Sequence, residues 1–265
     1  GMEGIIAQAR KHNPYVDIVI TFFTYERMLE QISKGQSPPS IAAHSKVAEH
    51  YGVSVNHLAQ ELSDLIDAGK MDWKKYGGVH PNNYGNTMGA TMISQGLLDA
   101  WDQPLPQAAK AIAHTQPQVL DPYSYIHGRF LPFAQISTDK NWKKGNPVWH
   151  QENKGKVRPH FLKTPFIYSK QAGAKLTIDF HGTAIGAYIL AGPDTGIIRC
   201  TVDGGHTRDI DTLHRYSGFN YPMTVMFYQE LKDSNHTLEL EILENQKGRI
   251  QTGGEAFRVI HFTAN

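Results

Sequence analysis

Hydrophobic residues are spaced in two different ways along the chain, and the spacing changes partway along it. In the first part, residues 16–23 are almost continuously apolar and rich in β-branched and aromatic side chains, which predicts a strand buried on both faces of a parallel sheet. Helical spacing marks residues 2–12, 40–52 and 58–69, and residues 53–55 predict a second short strand. Alternation of helix and strand indicates a layered α/β sheet with right-handed crossovers.

The ends of these elements carry their own signals. Ser40 is a residue type that often caps a helix N-terminus, and Gly52 and Gly69 are the type that most often follows a helix. Only two strands are visible in this part, which are too few for a self-sufficient sheet. We therefore expect the end of a domain whose beginning is missing, although Gly1 before Met2 also permits a tag-derived glycine before a true start.

One histidine stands in a turn rich in glycine, proline and asparagine. The turn reads Gly77-Gly78-Val79-His80-Pro81-Asn82-Asn83-Tyr84-Gly85, and a helical pattern over residues 86–101 follows at once. Loops of this kind hold a side chain in place and leave it reachable, so His80 is the best candidate for a catalytic base. The alternative is a structural histidine at the start of the helix, where Asn82 or Asn83 is the better cap.

The rest of the chain has the period of two that is typical of strands. Residues 175–180, 237–242 and 256–262 each alternate, and Asp203-Gly204-Gly205 supplies a hairpin-type turn after the strand-like Ile197–Val202. Many short strands with frequent turns predict an antiparallel β-sandwich.

Prolines between residues 104 and 122 mark a connecting region. The sequence therefore predicts three parts: an α/β part over residues 1–104, a linker over residues 105–121, and an all-β sandwich domain over residues 122–265.

Composition and charge exclude several classes of protein. Lys and Arg number 26 and Asp and Glu number 25, which leaves a net charge of +1, so no basic field points to nucleic acid. Cys200 is the only cysteine; an intrachain disulfide is therefore impossible, and a buried, unreactive thiol is expected. The sequence shows no apolar run long enough for a transmembrane helix and no signal peptide.

The first part resembles the C-terminal part of the SGNH (GDSL-type) hydrolase family. The resemblance rests on an ordered series of blocks: Met2-Glu3-Gly4-Ile5-Ile6-Ala7-Gln8-Ala9-Arg10, Asn13-Pro14-Tyr15-Val16-Asp17-Ile18-Val19-Ile20, Val47-Ala48-Glu49-His50-Tyr51-Gly52-Val53, and Gly78-Val79-His80-Pro81-Asn82 with Tyr84-Gly85. The last block is similar to that family's histidine block, in which an acid commonly stands three residues before the histidine. The family has a three-layer αβα fold, a serine on a GDS-like motif, and an oxyanion hole completed by a glycine and an asparagine. None of those three further blocks appears in this sequence.

The resemblance implies that His80 is the general base of a serine esterase. In such a site the histidine takes the serine proton and passes it to the leaving group, while an acid orients the ring. Gly77 stands where that acid is expected, which leaves a Ser-His dyad oriented by a backbone carbonyl or by another carboxylate such as Asp72. Four serines in this part lack the context of a nucleophile elbow: Ser40, Ser45, Ser54 and Ser94.

The second part resembles the accessory β-sandwich modules of some carbohydrate-active SGNH esterases, which are jelly-roll, galactose-binding-like domains. The residues that carry this resemblance are Phe180-His181-Gly182-Thr183-Ala184-Ile185-Gly186, Ala191-Gly192-Pro193-Asp194-Thr195-Gly196, Val202-Asp203-Gly204-Gly205 and Asn235-His236-Thr237-Leu238.

Two further groups of residues suggest binding surfaces, each with a plainer alternative. An aromatic group suggests a sugar-stacking platform, although core packing or a domain interface is the simpler explanation: Trp142, Trp149, Tyr216, Phe219 and Tyr221. A local basic cluster indicates either a solvated loop or a contact to a polysaccharide or anion: Lys140, Lys143, Lys144, Lys154 and Lys156.

No metal site is predicted, because the 14 histidines form no H-x-x-x-H pair and no Cys/His cluster. Asp203, Asp209 and Asp211 supply the oxygen ligands that calcium prefers, but their spacing matches no known calcium loop. His181 stands at a strand-end turn and is a candidate to line a groove of the sandwich. No cofactor is expected.

The main hypothesis is an SGNH-type serine esterase, a carbohydrate O-deacylase that lacks its nucleophile-bearing N-terminal part here and is inactive alone. The alternative is a non-catalytic glycan-binding or surface protein with a degenerate hydrolase domain. Expected partners are an acylated carbohydrate or other ester substrate, together with the missing N-terminal segment or a partner chain. A periplasmic or secreted location is expected; nucleic acid and a membrane span are not.

Overall fold

The computed structural model describes residues 1–244 and 254–265, and the chain divides into two units, Gly1–Ile126 and His127–Asn265. Unit 1 contains α1 (Met2–His12), β1 (Val19–Thr21), α2 (Glu26–Ser33), α3 (Pro39–Tyr51), β2 (Ser54–Asn56), α4 (Leu58–Asp67), α5 (Trp73–Tyr76) and α6 (Asn83–Trp101). None of the helices in the described ranges has both the length and the apolar character that crossing a membrane requires.

The predicted parallel strand pair is present in unit 1. Strands β1 and β2 run parallel, with Ile20 opposite Val55, and Ile20 and Phe22 are buried in a cluster with residues of the surrounding helices. Burial on both faces was expected and is wrong for Val19, which is 45% exposed. Successive side chains of a strand point to opposite faces, and Val19 lies on the face opposite to that of the buried Ile20.

The predicted helix over residues 2–12 is confirmed, and the N-terminus of the next predicted helix differs in detail. Helix α3 begins at Pro39, with Pro38 as the cap, so Ser40 lies inside the first turn instead of capping it. Proline suits the first helical position because its fixed φ is preorganised for the helix and it has no N–H to satisfy. Gly52 ends α3 in the left-handed region, with φ of 57°, as a glycine at that position predicts.

Residues 105–126 contain no helix or strand, and hydrogen bonds tie them to the rest of unit 1. The backbone N–H of Leu120 donates to the Glu3 carboxylate at 2.6 Å, and the N–H of His114 donates to the Pro14 carbonyl at 2.8 Å. The carbonyl of Gln118 lies 2.7 Å from a ring nitrogen of His50. Much of the region expected to be a linker is therefore held against α1 and α3.

Unit 2 confirms the prediction of an antiparallel β-sandwich. Its strands are β3 (Arg129–Leu131), β4 (Ile136–Thr138), β5 (Lys143–Gly145), β6 (Phe166–Ser169), β7 (Lys175–Gly182), β8 (Ile185–Ala191), β9 (Ile197–Val202), β10 (His206–Asp211), β11 (Tyr221–Tyr228), β12 (Ser234–Ile242) and β13 (Phe257–Ala264); a short helix, α7 (Trp149–Glu152), follows β5. One sheet has the order β10-β9-β12-β7-β4, the other β11-β8-β13-β6-β5, with β3 also paired to β13. Every one of these pairs is antiparallel.

The core of the sandwich is built from the alternate residues that the period of two singled out. Leu176, Ile178 and Phe180 of β7 are buried, as are Leu238 and Leu240 of β12. Cys200 is fully buried, and burial raises the pKa of its thiol to about 12. A thiol with so high a pKa stays protonated and unreactive at neutral pH, as expected from its place in a strand.

Candidate functional site

His80 lies in a six-residue loop, residues 77–82, that is held closed by hydrogen bonds from Asn82. The backbone N–H of Asn82 donates to the Tyr76 carbonyl at 3.1 Å, and its side-chain amide donates to the Lys75 carbonyl at 3.1 Å. The Asn82 Oδ1 atom accepts from the Gly85 N–H at 3.1 Å and so caps α6. Asn82 is therefore the cap that the sequence predicted, and it fixes both ends of the histidine loop.

Gly77 explains why no acid stands three residues before His80. Gly77 ends α5 with φ of 107°, a left-handed conformation that side chains rarely adopt. A Cβ atom added there would lie 2.2 Å from the backbone nitrogen of Asn82. The loop geometry thus excludes an aspartate at the position where the resemblance expects one.

The imidazole of His80 is exposed, and within the described residues it makes no hydrogen bond to a serine or to a carboxylate. Asp72 is not its partner: the Asp72 carboxylate accepts from the Lys75 N–H at 2.7 Å and caps α5. The serines considered above lie in other elements, with Ser40 and Ser45 in α3, Ser54 in β2 and Ser94 in α6. These residues present a reachable base without a nucleophile or an orienting acid beside it.

A cavity of ≈ 310 Å³ lies beyond the carboxyl ends of β1 and β2. Phe22, Ile32 and Ala59 form an apolar floor, and His57 and Ser45 contribute polar atoms. Ligands of parallel α/β sheets bind beyond the carboxyl ends of the strands. His80 is not among the residues that line this cavity.

The structure separates the aromatic residues that the sequence grouped together. Trp142 is buried in the sandwich core, with its ring edge-on to Phe257 at 6.4 Å. Trp149 packs edge-on against Phe166 at 5.5 Å. Both tryptophans are therefore packing residues of unit 2.

Tyr216 and Phe219 both pack against Tyr221, together with His214, a histidine that sequence reasoning missed. His214 stacks on Tyr221 with ring centroids 4.5 Å apart and planes 6° from parallel. Tyr216 lies 5.4 Å from Tyr221 and is 45% exposed. The cluster thus has a packed side and one partly exposed aromatic ring, Tyr216, which has the Arg215 guanidinium 4.7 Å from its centroid.

One acidic and one basic candidate, Asp209 and Lys144, are engaged in ordinary local contacts. Asp209 forms a bidentate ion pair with Arg199 at 2.9 Å, and the Lys144 ammonium donates to two backbone carbonyls, of Phe133 and Ile136. Within residues 1–244 and 254–265, no group of His, Cys, Asp and Glu side chains is arranged to hold a metal ion.

A depression at one end of the five-stranded sheet is lined by His181, as its place at a strand end suggested. The depression has a volume of ≈ 440 Å³ and is also lined by Asp179, Asp203, Asn235 and His236. His236 was not singled out from the sequence. His236 lies in β12 opposite Phe180, at a position that the alternating pattern of the strand assigns to the buried face. A polar residue at such a position is the signal that could have identified it from the sequence.

No protein-family model and no curated protein matches the sequence. Among solved structures, the chain is similar to a two-domain esterase (CEX) active on acetylated mannans, co-crystallized with mannopentaose. The identity is 13%, the match covers 99% of this chain and 66% of that chain, and the TM-score is 0.69. A second structure of an esterase described in the same way gives 15% identity, coverage of 99% and 67%, and a TM-score of 0.68. This chain thus spans about two thirds of the length of those esterases, and at such identities the likeness describes the fold.

Proposed function

We propose that this chain carries the general base of an SGNH-type serine esterase that removes acyl groups from carbohydrate. The observation that carries the proposal is His80, an exposed imidazole on a loop fixed at both ends by Asn82. The similarity in fold to esterases active on acetylated mannans supports a polysaccharide acetate as the substrate class. In this proposal residues 1–104 belong to a three-layer αβα hydrolase domain, and residues 122–265 form an accessory jelly-roll-like domain.

The proposed reaction is a two-step ester hydrolysis with an acyl-serine intermediate. His80 accepts the proton of the attacking serine hydroxyl and then donates it to the leaving sugar oxygen. In the second step it accepts a proton from the water that attacks the acyl-serine carbonyl, and it returns that proton to the serine oxygen as the serine–acyl bond breaks and the acyl group leaves as a carboxylic acid. The nucleophile has to come from residues other than the serines described above, because His80 has none beside it.

The ring of His80 also needs an orienting acceptor in this mechanism. Gly77 cannot be replaced by an acid without a clash, and Asp72 is engaged with the N-terminus of α5. A backbone carbonyl or a carboxylate from the nucleophile-bearing part would therefore orient the ring. The proposal also favours a periplasmic or secreted location, where acylated polysaccharides are found.

The experiment is a comparison of aryl acetate hydrolysis by longer and shorter polypeptides. The open reading frame that contains these residues is expressed from its own start, and release of 4-nitrophenol from 4-nitrophenyl acetate is followed. We expect His80→Ala to lower kcat/KM by about 10²- to 10⁴-fold, the range for a general base, while His12→Ala, an exposed histidine at the end of α1, changes little. Equal rates in the wild type and His80→Ala would remove His80 from the mechanism.

The same assay tests where the nucleophile lies. Residues 1–265 alone should show no turnover above the uncatalysed rate. Measurable turnover that a serine-directed fluorophosphonate abolishes would contradict the proposal that the serine lies outside these residues.

A second candidate is a non-catalytic glycan-binding protein, and the Tyr216 cluster is the observation that favours it. Exposed aromatic rings on a sandwich provide stacking surfaces for pyranose rings. Tyr216 packs against His214 and Tyr221, and Phe219 packs against Tyr221. In this case the wild type should be retarded in gels containing mannan, Tyr216→Ala should lose the retardation, and Tyr15→Ala, an exposed tyrosine of unit 1, should keep it. Retardation without ester hydrolysis by the longer polypeptide would favour this candidate over the esterase.

A further inference from the structure

His236 is a buried histidine whose two ring nitrogens both contact hydrogen-bond acceptors. Its side chain is 7% exposed, and the ring packs over Phe180 with centroids 5.4 Å apart. The Nδ1 atom lies 2.7 Å from the Oδ2 atom of Asp203, and the Nε2 atom lies 2.7 Å from the carbonyl oxygen of Lys232.

The hydrogens that these two contacts require determine the charge of the ring. An ionised carboxylate and a backbone carbonyl can only accept, so each nitrogen must donate a hydrogen. A ring that donates from both nitrogens is an imidazolium cation. Burial on its own lowers the pKa of His236, but the hydrogen bond to Lys232 and the hydrogen bond and charge of Asp203 outweigh burial and raise the pKa above the ordinary 6.5.

A second partner for Nε2 is already in place. The hydroxyl of Ser234 lies 3.2 Å from the Nε2 atom of His236. While the ring is charged, Nε2 carries a hydrogen and cannot accept from that hydroxyl. Once the proton leaves Nε2 for solvent, the Nε2 lone pair faces the lone pairs of the Lys232 carbonyl oxygen, and this contact is repulsive. The Ser234 O–H, by contrast, can donate a hydrogen bond to the Nε2 lone pair.

The other contact survives this change. Asp203 is the stronger acceptor because it is charged, and it keeps the remaining hydrogen on Nδ1. Asp203 is itself fixed, since its second carboxylate oxygen accepts from the Thr237 N–H at 2.9 Å. The contact that breaks is therefore the contact to the connection between β11 and β12.

We propose that His236 is a proton-operated latch that holds residues 229–233 when charged and releases them when neutral by exchanging the Lys232 carbonyl for the Ser234 hydroxyl. One hydrogen bond breaks, another forms, and one proton passes from Nε2 to solvent. Glu230 adopts φ of 58° in this connection, an unfavourable conformation for a residue with a side chain.

Charged groups around the latch come from three elements. Asp179 and His181 of β7 line the same depression as His236, and the His181 ring lies 3.5 Å from the Asp233 carboxylate. Glu230, Lys232 and Asp233 belong to the connection itself, and Asp203 belongs to the turn between β9 and β10. Among the described residues, Asp203 and the Lys232 carbonyl are the acceptors that touch the ring.

The latch bears on more than one turn of the sandwich. The Leu231 N–H donates to the Thr183 carbonyl at 2.9 Å, and the Thr183 N–H donates to the Asn265 carbonyl at 2.8 Å. Residues 229–233 are thereby linked to the turn between β7 and β8 and to Asn265, the residue that follows β13. Release at His236 therefore also bears on the turn between β7 and β8.

The experiment follows the imidazole nitrogens of ¹⁵N-labelled protein by long-range proton–nitrogen NMR between pH 5 and 9. We expect His236 to show two protonated nitrogens at pH 6 and, above its titration, a hydrogen on Nδ1 alone. Amide exchange at Leu231 and Lys232 should accelerate through the same pH interval by more than its intrinsic tenfold per pH unit. A neutral ring at pH 6, or exchange that follows the intrinsic dependence alone, would overturn the proposal.

Two variants separate the latch from a passive buried histidine. Asp203→Asn tolerates the left-handed φ of 53° at that position and removes the charge, so it should lower the titration midpoint of His236 by about 1 unit or more. Ser234→Ala removes the partner of the neutral ring and should raise the midpoint. His12→Gln, at an exposed position at the end of α1 in unit 1, should leave it unchanged. A Ser234→Ala midpoint at or below that of the wild type would contradict the exchange of partners.

Discussion

Gly77 approaches Asn82 so closely that a Cβ atom on Gly77 would lie 2.2 Å from the Asn82 backbone nitrogen. The same nitrogen donates to the Tyr76 carbonyl and closes the loop that carries His80. Loop closure and an acid at position 77 are therefore incompatible. If His80 is a base, its ring is oriented by a group from elsewhere, and the absent acid is a consequence of the backbone conformation of this loop.

Replacing Gly77 with aspartate should damage the loop without creating a triad. The new side chain would meet both a left-handed backbone and the Asn82 nitrogen, so we expect Gly77→Asp to lower the free energy of unfolding by at least about 3 kcal/mol. Urea denaturation followed by circular dichroism measures this. Gly78→Ala is the matched control, because Gly78 has φ of 81° with open space around its Cβ position, and it should cost about 1 kcal/mol. An equal loss of unfolding free energy in the two variants would contradict this prediction, because it would show that the loop accommodates a Cβ atom at position 77 without additional strain.

Glu3 should make the stability of unit 1 sensitive to acid. Burial alone would raise the pKa of Glu3, but hydrogen bonds from the Ser124 hydroxyl, the Leu120 N–H, the Tyr51 hydroxyl and the Asp121 N–H hold it below the ordinary 4.5. A lowered folded pKa means that the ionised form stabilises the fold above the unfolded pKa and that this stability is lost as the pH falls through the folded value.

The test compares urea midpoints of wild type and Glu3→Gln from pH 7 to pH 3. The variant should be less stable at pH 7, because a neutral amide replaces a carboxylate that accepts four hydrogen bonds, and the difference should shrink as the pH falls below about 4.5. Glu49→Gln, at an exposed position of α3, serves as the control and should show no such convergence. A difference between wild type and Glu3→Gln that stays constant with pH would contradict the role of the charge.

Removing the charge of Arg258 should strongly destabilise unit 2. Its guanidinium is fully buried and lies 2.6 Å from Asp194 and 2.9 Å from Glu152, whose side chain is 6% exposed. Removing one partner from a buried pair leaves an uncompensated charge, which costs about 3–5 kcal/mol. Arg258→Met should lower the free energy of unfolding by that amount in urea denaturation.

Two further variants test whether the cost of Arg258→Met comes from the unpaired buried charge. The triple variant Arg258→Met, Glu152→Gln and Asp194→Asn should regain part of the loss, because no unpaired charge remains buried. Arg199→Ala breaks a solvent-exposed pair with Asp209 and should be close to neutral, as exposed ion pairs contribute little. If the triple variant is no more stable than Arg258→Met, then lost packing and hydrogen bonds, and not buried charge, account for the cost.

Local patterns were sufficient where one residue type decides one conformation. The period of two in β7 and β12, the left-handed Gly52 and the capping Asn82 all lie where the sequence predicted them. Helix α2 was not predicted, although its buried Met28, Leu29 and Ile32 follow helical spacing. Its short length and the prolines that follow it hid the pattern.

Contacts between residues distant in sequence could not be read in this way. His236 and Asp203 are 33 positions apart, and Arg258 and Glu152 are 106 apart, so no local spacing brings them together. Register between β12 and β9 places Thr237 and Asp203 side by side, and only then does a buried imidazole acquire two acceptors. The aromatic residues show the same limit, since Trp142 entered the core while Tyr216 stayed at the surface.

The sequence by itself determined four of the helices, several of the strands, the change from an α/β to an all-β pattern and the histidine loop, because backbone preference and hydrophobic spacing act over a few residues. Only the tertiary structure decided which side chains meet, which charges are buried, and why an acid cannot stand at Gly77. Those outcomes depend on strand register and on the close approach of the Gly77 and Asn82 backbones, which the folding of the whole unit sets.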